Sequence, residues 1–223
     1  EPYRQVLSNY PVGTYLLNTL VVTSGIVFIQ MTVGILAGYA FSKGRFFGRN
    51  AMFILVLGAM MVPIQVTFIP IYVMISKAGW LNTFAGLIIP EAVSAYSIFL
   101  LRQSFLGVDD SYLEAGRVDG MNTFQVIFGV LTPMCRPVVV TTTILAFING
   151  WNAYFWPKMI VTTDKARTIA LGIADIRNSF LSMEALNMNQ IMAASCIAVI
   201  PILILFLVFQ KHILVGFTKS AMK

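Results

Sequence analysis

The stretch that decides the fold of this chain reads Asp110-Ser-Tyr-Leu-Glu-Ala-Gly-Arg-Val-Asp-Gly-Met121, nine further residues, Leu131-Thr-Pro133, and a second proline at Pro137. It is a polar interruption between apolar segments, and its pattern predicts two short helices joined at a glycine. Ser111 and Glu114 have the spacing of a capping box, which predicts that the first helix begins at Ser111. Gly120 can adopt the left-handed conformation that ends a helix, and Asn122 can cap a second helix that runs to Pro133. A bent helix pair of this kind on a membrane protein offers a shaped surface to a soluble partner.

Outside this stretch the chain is largely apolar. Hydrophobic residues make up 58% and charged residues 11%, with a mean hydropathy of +0.82, whereas about a quarter of an ordinary soluble domain is charged. Several charge-free segments exceed the ~20 residues that an α-helix needs to cross the hydrocarbon core. We therefore predict an all-α integral membrane protein with five transmembrane helices, near residues 15–40, 51–75, 84–102, 137–155 and 191–210. Pro63 and Pro70 predict a bend in the second helix, and Gly34 and Gly38 predict a close helix contact in the first.

The basic residues predict the orientation of the chain in the membrane. One side collects nine of them, namely Lys43, Arg45, Arg49, Arg102, Arg117, Arg136, Lys211, Lys219 and Lys223. The other side collects six, namely Arg4, Lys77, Lys158, Lys165, Arg167 and Arg177. The short loop 43–49, with three basic residues in seven, favours the first side as the cytoplasmic one. Residues 109–136 and the C-terminus are then inside and residues 158–188 outside. The net charge of +6 reflects this orientation, and we predict no nucleic-acid partner.

The sequence contains no constellation that is typical of an enzyme or of a metal site. The one histidine, His212, stands beside Lys211 at the end of the last predicted span. Paired carboxylates occur only as Asp109 and Asp110, where they would stabilise the start of a helix. The sequence has no glycine-rich phosphate loop, so we expect the chain to be non-catalytic and to bind neither ATP nor a metal itself.

The stretch that begins at Asp110 also resembles the cytoplasmic coupling loop of permease subunits in ATP-driven (ABC) importers. The pattern of that family is Glu-Ala-Ala, two residues, Asp-Gly-Ala, about nine residues, an apolar residue and Leu-Pro. The residues in register with it are Glu114, Ala115, Asp119, Gly120 and Pro133. The departures are Gly116 and Met121 in place of the second and third alanines, and Thr132 in place of the leucine.

Further pieces match in order along nearly the whole chain and are similar to the carbohydrate-uptake branch, with its maltose-type and glycerol-phosphate-type permeases. They include Leu-Asn-Thr-Leu at 17–20, Met-Val-Pro-x-Gln-Val-Thr at 61–67, Leu-Asn-Thr-Phe at 81–84, Phe-Leu-Leu-Arg-Gln at 99–103, Gly-Trp-Asn-Ala-Tyr-Phe-Trp-Pro at 150–157 and Gly-Phe-Thr-Lys-Ser-Ala-Met-Lys at 216–223. The resemblance implies a type I importer permease core, with residues 1–223 forming one transmembrane domain. Its coupling loop is expected at about 109–136 and its external loop at about 158–188. We also expect that an N-terminal helix of the family is missing from this chain.

The resemblance implies the partners as well. They are a second permease subunit, two copies of a cytoplasmic ATPase that binds ATP and Mg²⁺, an external solute-binding protein and membrane lipid. The residues that would couple the chain to the ATPase are Glu114, Ala115, Gly116, Asp119 and Gly120. Glu114 can both cap its helix and contact an arginine of the ATPase, while Asp119 and Gly120 can form a turn, a docking surface or both.

The candidates for the substrate path are polar or aromatic residues in or beside predicted spans, namely Gln65, Glu91, Asn149, Trp151, Asn152 and Tyr154. Glu91 is the only acid inside a predicted span, and because a charge at mid-membrane costs about 2.5–3.5 kcal/mol it should face a cavity or a partner. Tryptophan and tyrosine at the outer end of the fourth span also suit an interfacial belt. However, aromatic rings stack on sugars, and asparagine amides hydrogen-bond to hydroxyl groups.

We therefore predict a multi-pass permease of the bacterial or archaeal inner membrane that translocates a sugar of the di- or oligosaccharide class. Glycerol 3-phosphate or glycerophosphodiesters are the alternative, because importers of those compounds have a very similar Trp-Asn-x-Tyr-x-Trp-Pro stretch. A phosphate would favour a basic residue in the cavity, and Lys158 is the only nearby candidate. An ion-coupled secondary transporter is the alternative of another class; it would need mid-membrane acids and an inverted repeat, whereas this sequence has one shallow acid and no repeat.

Overall fold

The computed structural model describes residues 2–181 and 188–218, and the regular elements in them are helical, as predicted. The α-helices are α1 (Pro2–Asn9), α2 (Val12–Lys43), α3 (Arg49–Met60), α4 (Ile64–Lys77), α5 (Phe84–Ile88), α6 (Ala95–Leu106), α7 (Asp110–Val118), α8 (Thr123–Gln125), α9 (Thr132–Met134), α10 (Arg136–Trp151), α11 (Phe155–Ile160), α12 (Ile169–Leu181) and α13 (Met188–Thr218). A π-helical segment, Val126–Leu131, joins α8 to α9, and a 3-10 turn, Asp164–Ala166, precedes α12. Residues 182–187 of the predicted external loop and 219–223 of the C-terminal motif lie outside the described residues.

Within the described residues, three helical stretches are long and apolar enough to span a membrane, namely Val12–Lys43, Arg136–Ile160 and Met188–Val208. A fourth span results if α3 and α4 are counted together, so the predicted count of five is not confirmed. The second predicted span bends by 99° between these two helices. Pro63 is the last residue of the break between them. It explains the break because it lacks an N–H and disfavours a helical conformation at Val62. The predicted bend is confirmed, although Pro70 lies inside α4 and does not interrupt it.

The third predicted span, near 84–102, is not one helix but the two short helices α5 and α6 with a non-helical link between them. Pro90 has no N–H with which to bond the Gly86 carbonyl and continue α5. That carbonyl instead accepts a hydrogen bond from the indole N–H of Trp156 at 2.9 Å. Ser94 then begins α6 by accepting a hydrogen bond from the backbone N–H of Ser97.

The chain forms two compact units. The first comprises the described parts of Glu1–Ile26, Ile69–Glu91 and Phe147–Phe209, and the second those of Val27–Phe68, Ala92–Ala146 and Gln210–Lys223. The buried core of the first unit consists of Val6, Val12, Tyr15, Trp151, Ile169, Ile176, Ala193 and Ala194. The main core of the second consists of Met31, Ile35, Leu101, Phe105, Leu113, Val126, Ile127, Leu131 and Cys135. The inner faces of α7 and of the π-helical segment are thus part of the core of the second unit.

A close approach of α2 to α6 organises the second unit. A Cβ atom at Gly34 would lie 3.0 Å from the Leu101 side chain, and one at Gly38 would lie 3.2 Å from the Arg102 backbone nitrogen. Gln30 donates a hydrogen bond of 2.6 Å to Ser97, and both side chains are buried. The predicted small-residue contact is therefore a helix contact inside this chain, since only glycine leaves room for the neighbouring backbone.

Candidate functional site

The first candidate site is the segment from α7 to α9, residues 110–134, which we name the coupling segment. Its first helix begins at Asp110 and is capped by Asp109, whose carboxylate accepts a hydrogen bond of 2.8 Å from the backbone N–H of Ser111. The predicted capping box of Ser111 and Glu114 is therefore wrong, because the acid two residues earlier reaches the free N–H groups first. Hydrogen bonding to Ser111 holds the pKa of Asp109 below its ordinary value.

The turn of the coupling segment has the predicted conformation. Gly120 has φ +83°, and no atom lies within 4 Å of a Cβ built there, so the backbone conformation and not lack of space favours glycine. Asn122 caps α8 through a complete capping box: its side chain accepts from Gln125 N at 2.9 Å, and the Gln125 side chain accepts from Asn122 N at 2.8 Å. The predicted roles of Gly120 and Asn122 as helix end and helix start are confirmed.

The second helix of the coupling segment is wider than an α-helix in its middle. It is π-helical over Val126–Leu131 and continues through Pro133 to Met134. The backbone N–H of Thr132 bonds to the Ile127 carbonyl, five residues earlier. Pro133 would leave a carbonyl of the preceding turn without its N–H and crowd it. A widened turn accommodates that ring, and single π-helical turns are frequent at functional sites.

The five predicted coupling residues do not share one environment. Glu114, Ala115, Asp119 and Gly120 are exposed, whereas Gly116 is buried. A Cβ at Gly116 would lie 3.2 Å from the sulfur of Met121. The two departures from the Glu-Ala-Ala and Asp-Gly-Ala pattern are therefore in contact, and the smaller residue at 116 makes room for the larger one at 121.

The coupling segment is attached to the end of α2 by side chains that the sequence analysis did not single out. The ammonium group of Lys43 lies 2.6 Å from Oδ1 of Asp110 and also donates to the carbonyl of Val108. The Arg117 guanidinium donates to the Tyr39 hydroxyl at 3.0 Å. A cavity of about 380 Å³ is lined by Tyr39, Lys43, Asp110 and Arg117 together with Gly44, Arg45, Leu113 and Glu114. No spacing pattern in the sequence predicts these contacts, because α2 and α7 are far apart in the sequence.

The outer face of the coupling segment is apolar as well as acidic. Large exposed side chains cover it, with exposed fractions of 55% for Tyr112, 87% for Val118, 64% for Phe124 and 45% for Phe128. Exposed apolar side chains of this size, close together in the sequence, are typical of a segment that contacts another protein. The surface thus offers a partner both a carboxylate, Glu114, and apolar contacts.

The substrate-path candidates are distributed over both units. Gln65 is exposed in the first turn of α4 and belongs to the second unit, whereas the other five belong to the first. Glu91 is half-buried and lies in the non-helical link after α5, not within a helix. Asn149 and Asn152 are exposed and Tyr154 is half-buried, with the Lys158 ammonium 5.4 Å from its ring centroid. Trp151 is buried, and its indole N–H donates to the Ala198 carbonyl.

A second candidate site, missed by the sequence analysis, lies on the first unit at residues 161–169, which we name the 161–169 segment. The side chain of Asn18 donates hydrogen bonds of 3.1 Å and 2.9 Å to the carbonyls of Lys165 and Arg167. The Asn82 side chain accepts from the backbone N–H groups of Thr162 and Thr163 at 2.6 Å and 3.0 Å. Both asparagines stand in the Leu-Asn-Thr pieces of the sequence, which was the signal that could have revealed the site.

Further contacts complete this attachment. The hydroxyl of Thr19, from the first Leu-Asn-Thr piece, accepts from the backbone N–H of Ile169 at 2.8 Å. Arg167 forms ion pairs with Asp164 at 3.2 Å and with Asp175 at 2.8 Å. Beyond the segment, Arg177 and Tyr154 line a cavity of about 280 Å³ with three small or apolar residues. Arg177 is a basic residue beside the predicted path that sequence spacing did not connect with Tyr154.

Comparisons with known proteins agree on one family. The family described as "Binding-protein-dependent transport system inner membrane component" matches residues 30–216. The chain is 30% identical over 206 residues to the arabinooligosaccharides transport system permease protein AraQ of Bacillus subtilis, covering 92% of this chain and 72% of that protein. It is 32% identical over 210 residues to the sn-glycerol-3-phosphate transport system permease protein UgpE of Pectobacterium atrosepticum, covering 94% and 74%.

A solved structure is also similar to this chain. It is the crystal structure of a bacterial ABC transporter involved in the import of the acidic polysaccharide alginate. The TM-score is 0.82 at 25% sequence identity, and the match covers 94% of this chain and 78% of the other. The predicted type I importer permease fold is confirmed by this match and by the family.

Proposed function

The chain belongs to the family of binding-protein-dependent transport system inner membrane components, and we propose that it is an importer permease that carries a di- or oligosaccharide delivered by an external solute-binding protein. The observation that carries the transport function is the exposed, glycine-hinged coupling segment, in which Glu114 and several large apolar side chains are exposed. The similarity to an arabinooligosaccharide permease supports the sugar. Hydrolysis of ATP is assigned to separate ATPase subunits, which would bind ATP and Mg²⁺.

We propose that the complete importer contains a second permease subunit and two copies of the ATPase, and that the coupling segment and the C-terminus face the cytoplasm. The contribution of this chain to the importer cycle would be mechanical. Glu114 would pair with an arginine of the ATPase, while Val118 and Phe124 give the contact its apolar area. Movement of the ATPase subunits would then reach α2 through the Lys43–Asp110 ion pair, because α7 and the end of α2 are bonded together. The spans would rock between inward-open and outward-open arrangements.

Substitutions at Glu114 test the docking part of the proposal. Charge reversal in Glu114→Lys should reduce recovery of the ATPase in a pull-down by about tenfold or more, because a desolvated charge pair becomes a repulsion. Glu114→Gln should have a smaller effect, since it keeps the shape of the side chain. Equal recovery with Glu114→Lys and Glu114→Gln would exclude a charge contact at this position.

Glycerol 3-phosphate is the second candidate substrate. It is favoured by the 32% identity to a glycerol-3-phosphate permease and by Arg177, which lies beside Tyr154 in the cavity of the first unit. Guanidinium groups bind phosphate through paired hydrogen bonds. Binding of a panel of arabinooligosaccharides, maltooligosaccharides and glycerol 3-phosphate to the cognate binding protein distinguishes the two. Exclusive binding of the phosphate compound would exclude the sugar.

Substrate uptake by variants then tests the path. Asn152→Ala should lower uptake of a neutral sugar several-fold, because one hydrogen bond to a bound hydroxyl contributes about 0.5–1.5 kcal/mol. Glu91→Gln should lower uptake of a sugar but leave uptake of glycerol 3-phosphate equal or higher, since it removes a repulsive charge. Both are measured in proteoliposomes that contain the assembled importer and a radiolabelled compound. Wild-type uptake of both compounds by Glu91→Gln would remove Glu91 from the path.

A further inference from the structure

The short connection after α2, together with Arg49 at the start of α3, is named the loop 44–49. It has a composition and an exposure that the transport function does not explain. It joins the apolar helix α2, which is long enough to span a membrane, to the apolar helix α3. In an inner-membrane protein, a connection of this length between two apolar helices lies at a membrane surface. The environment of this loop is therefore the interface between lipid headgroups and water.

The two phenylalanines of this loop differ in exposure, because the ring of Phe46 lies against that of Phe41, with centroids 6.1 Å apart, whereas Phe47 has no such ring contact among the described residues. Phe47 is fully exposed at 103%, and Phe46 is exposed at 41%. By contrast, the neighbouring Phe41 and Phe53 are buried together in a core cluster, with ring centroids 5.6 Å apart. The protein thus packs Phe46 and Phe53 against Phe41 but leaves Phe47, at the tip of the loop, exposed. Aromatic side chains at a membrane surface partition into the boundary between headgroups and acyl chains.

Two arginines stand on either side of these aromatic residues. Arg45 is exposed, and Arg49 is held in place by donating to the Gly44 carbonyl at 2.9 Å. Together with Phe46, Gly48, Asn50 and Ala51 they line a cavity of about 440 Å³, and none of its lining residues is acidic. Arg45 also lines the cavity of Asp110 and Glu114, where the Asp110 carboxylate is paired with Lys43. Two guanidinium groups beside the exposed Phe47 side chain match an anionic headgroup joined to acyl chains.

We propose that the loop 44–49 is a binding site for an anionic phospholipid, in which Phe47 inserts among the acyl chains while Arg45 and Arg49 bind the phosphate of the headgroup. Guanidinium groups bind phosphate oxygens with paired, charge-assisted hydrogen bonds. The site would fix the end of α2 at the membrane surface, next to the Lys43–Asp110 attachment of the coupling segment. This inference rests on insertion of α2 and α3 in the membrane and is independent of the transported substrate.

Lipid retention by the assembled importer tests the charges. The importer is purified in mixed micelles of phosphatidylglycerol and phosphatidylcholine, and retained lipid is counted by native mass spectrometry. Arg45→Gln and Arg49→Gln should each weaken retention of phosphatidylglycerol by roughly fivefold without affecting phosphatidylcholine. Arg45→Lys should retain most of the preference, and Lys165→Gln, which removes an exposed charge from the 161–169 segment, should change nothing. Unchanged retention of phosphatidylglycerol by the Arg45→Gln/Arg49→Gln double variant would overturn the proposal.

A nitroxide at position 47 tests the location and does not depend on the arginine variants. Phe47→Cys is labelled in a background without other accessible cysteines and reconstituted in nanodiscs that contain 30 mol% phosphatidylglycerol. We expect relaxation by oxygen, which concentrates in lipid, and little relaxation by a water-soluble nickel chelate. Relaxation by the nickel chelate places the residue in water and overturns the proposal. Protection from both reagents, appearing only when the ATPase is bound, shows that a protein covers the loop and equally overturns it.

Discussion

The turn of the coupling segment is shaped by neighbours in the sequence: Asn122 and Gln125 bond to each other's backbone, three residues apart. In the 161–169 segment the hydrogen bonds to the backbone come from side chains that are distant in the sequence. Asn18 reaches Lys165 and Arg167 across 147 and 149 residues of sequence, and Asn82 reaches Thr162 across 80. Both segments interrupt apolar helices, yet the turn of the coupling segment is capped from within, whereas the backbone of the 161–169 segment is bonded by side chains from distant parts of the sequence.

The difference has a physical consequence for what each segment can do. A turn that satisfies its own backbone groups keeps its shape while its outer face stays free for a partner. The 161–169 segment depends instead on hydrogen bonds from the buried Asn18 side chain of α2 to its carbonyl groups. If α2 or the segment moved, these carbonyl groups would lose their partner, so the segment is expected to move together with the first unit. We therefore expect changes in the coupling segment to affect function before stability, and changes at the attachment of the 161–169 segment to affect stability first.

The largest effect is expected from Gly120→Val. A β-branched residue at φ +83° costs about 1–2 kcal/mol or more, and it would redirect α8 relative to α7. Stimulation of ATPase activity by the binding protein should fall to the basal rate, while membrane insertion stays intact and the melting temperature falls by only about 2–8 °C. The control is Gly58→Val, at a helical glycine where no atom lies within 4 Å of an added Cβ. Full stimulation in Gly120→Val would show that the shape of this turn is not needed for coupling.

A large effect on stability is expected from Asn18→Ala. The change leaves the carbonyls of Lys165 and Arg167 without their partner at a site where Asn18 is only 7% exposed. A buried polar group without a partner costs about 1–3 kcal/mol, so the melting temperature should fall. Hydrogen exchange should increase in the 161–169 segment and not in the coupling segment. Asn149→Ala, at an exposed asparagine, is the control, and a uniform increase of exchange along the chain would contradict a local attachment.

A smaller effect, with a rescue, is expected at Gly116 and Met121. Gly116→Ala places a methyl group 3.2 Å from the Met121 sulfur, and the flexible end of that side chain can yield at modest cost. We expect about a twofold loss of stimulated ATPase activity, equivalent to roughly 0.4 kcal/mol. Met121→Ala added to Gly116→Ala should restore activity, because it produces the alanine pair of the family pattern. Additive losses in the double variant would show that the contact between the two residues is unimportant.

The smallest effect is expected at Asp109. Because its folded pKa is lowered by hydrogen bonding to Ser111, the carboxylate stabilises α7 above the unfolded pKa, and this contribution is lost as the pH falls through the folded pKa. Amide protection in the first turn of α7 should therefore decrease at acidic pH in the wild type. Asp109→Asn should remove this pH dependence and keep the cap, whereas Asp109→Ala should lose protection at every pH. Identical pH profiles for wild type and Asp109→Asn would assign the change to another group.

Local features were predicted well from the sequence. The left-handed Gly120, the Asn122 cap and the bend at Pro63 depend on backbone chemistry within a few residues, which the sequence displays directly. The helix start predicted at Ser111 was wrong because the neighbouring side chain of Asp109 can cap the same helix. The sequence shows both candidates but not which of them lies within hydrogen-bond distance of the free N–H groups. The broken helix near Glu91 was missed because apolar composition measures the tendency to enter a membrane, not the continuity of a helix.

By itself the sequence determined the class of the molecule: its apolar segments require helices in a membrane, and its glycine and asparagine prescribe the turn of the coupling segment. Only the tertiary structure decided which side chains hold the two segments in place. Lys43 meets Asp110, and Asn18 meets the 161–169 segment, across distances in sequence that no local pattern encodes. The physical reason is that helix periodicity and backbone conformation act within a few residues, whereas these attachments depend on how whole helices pack.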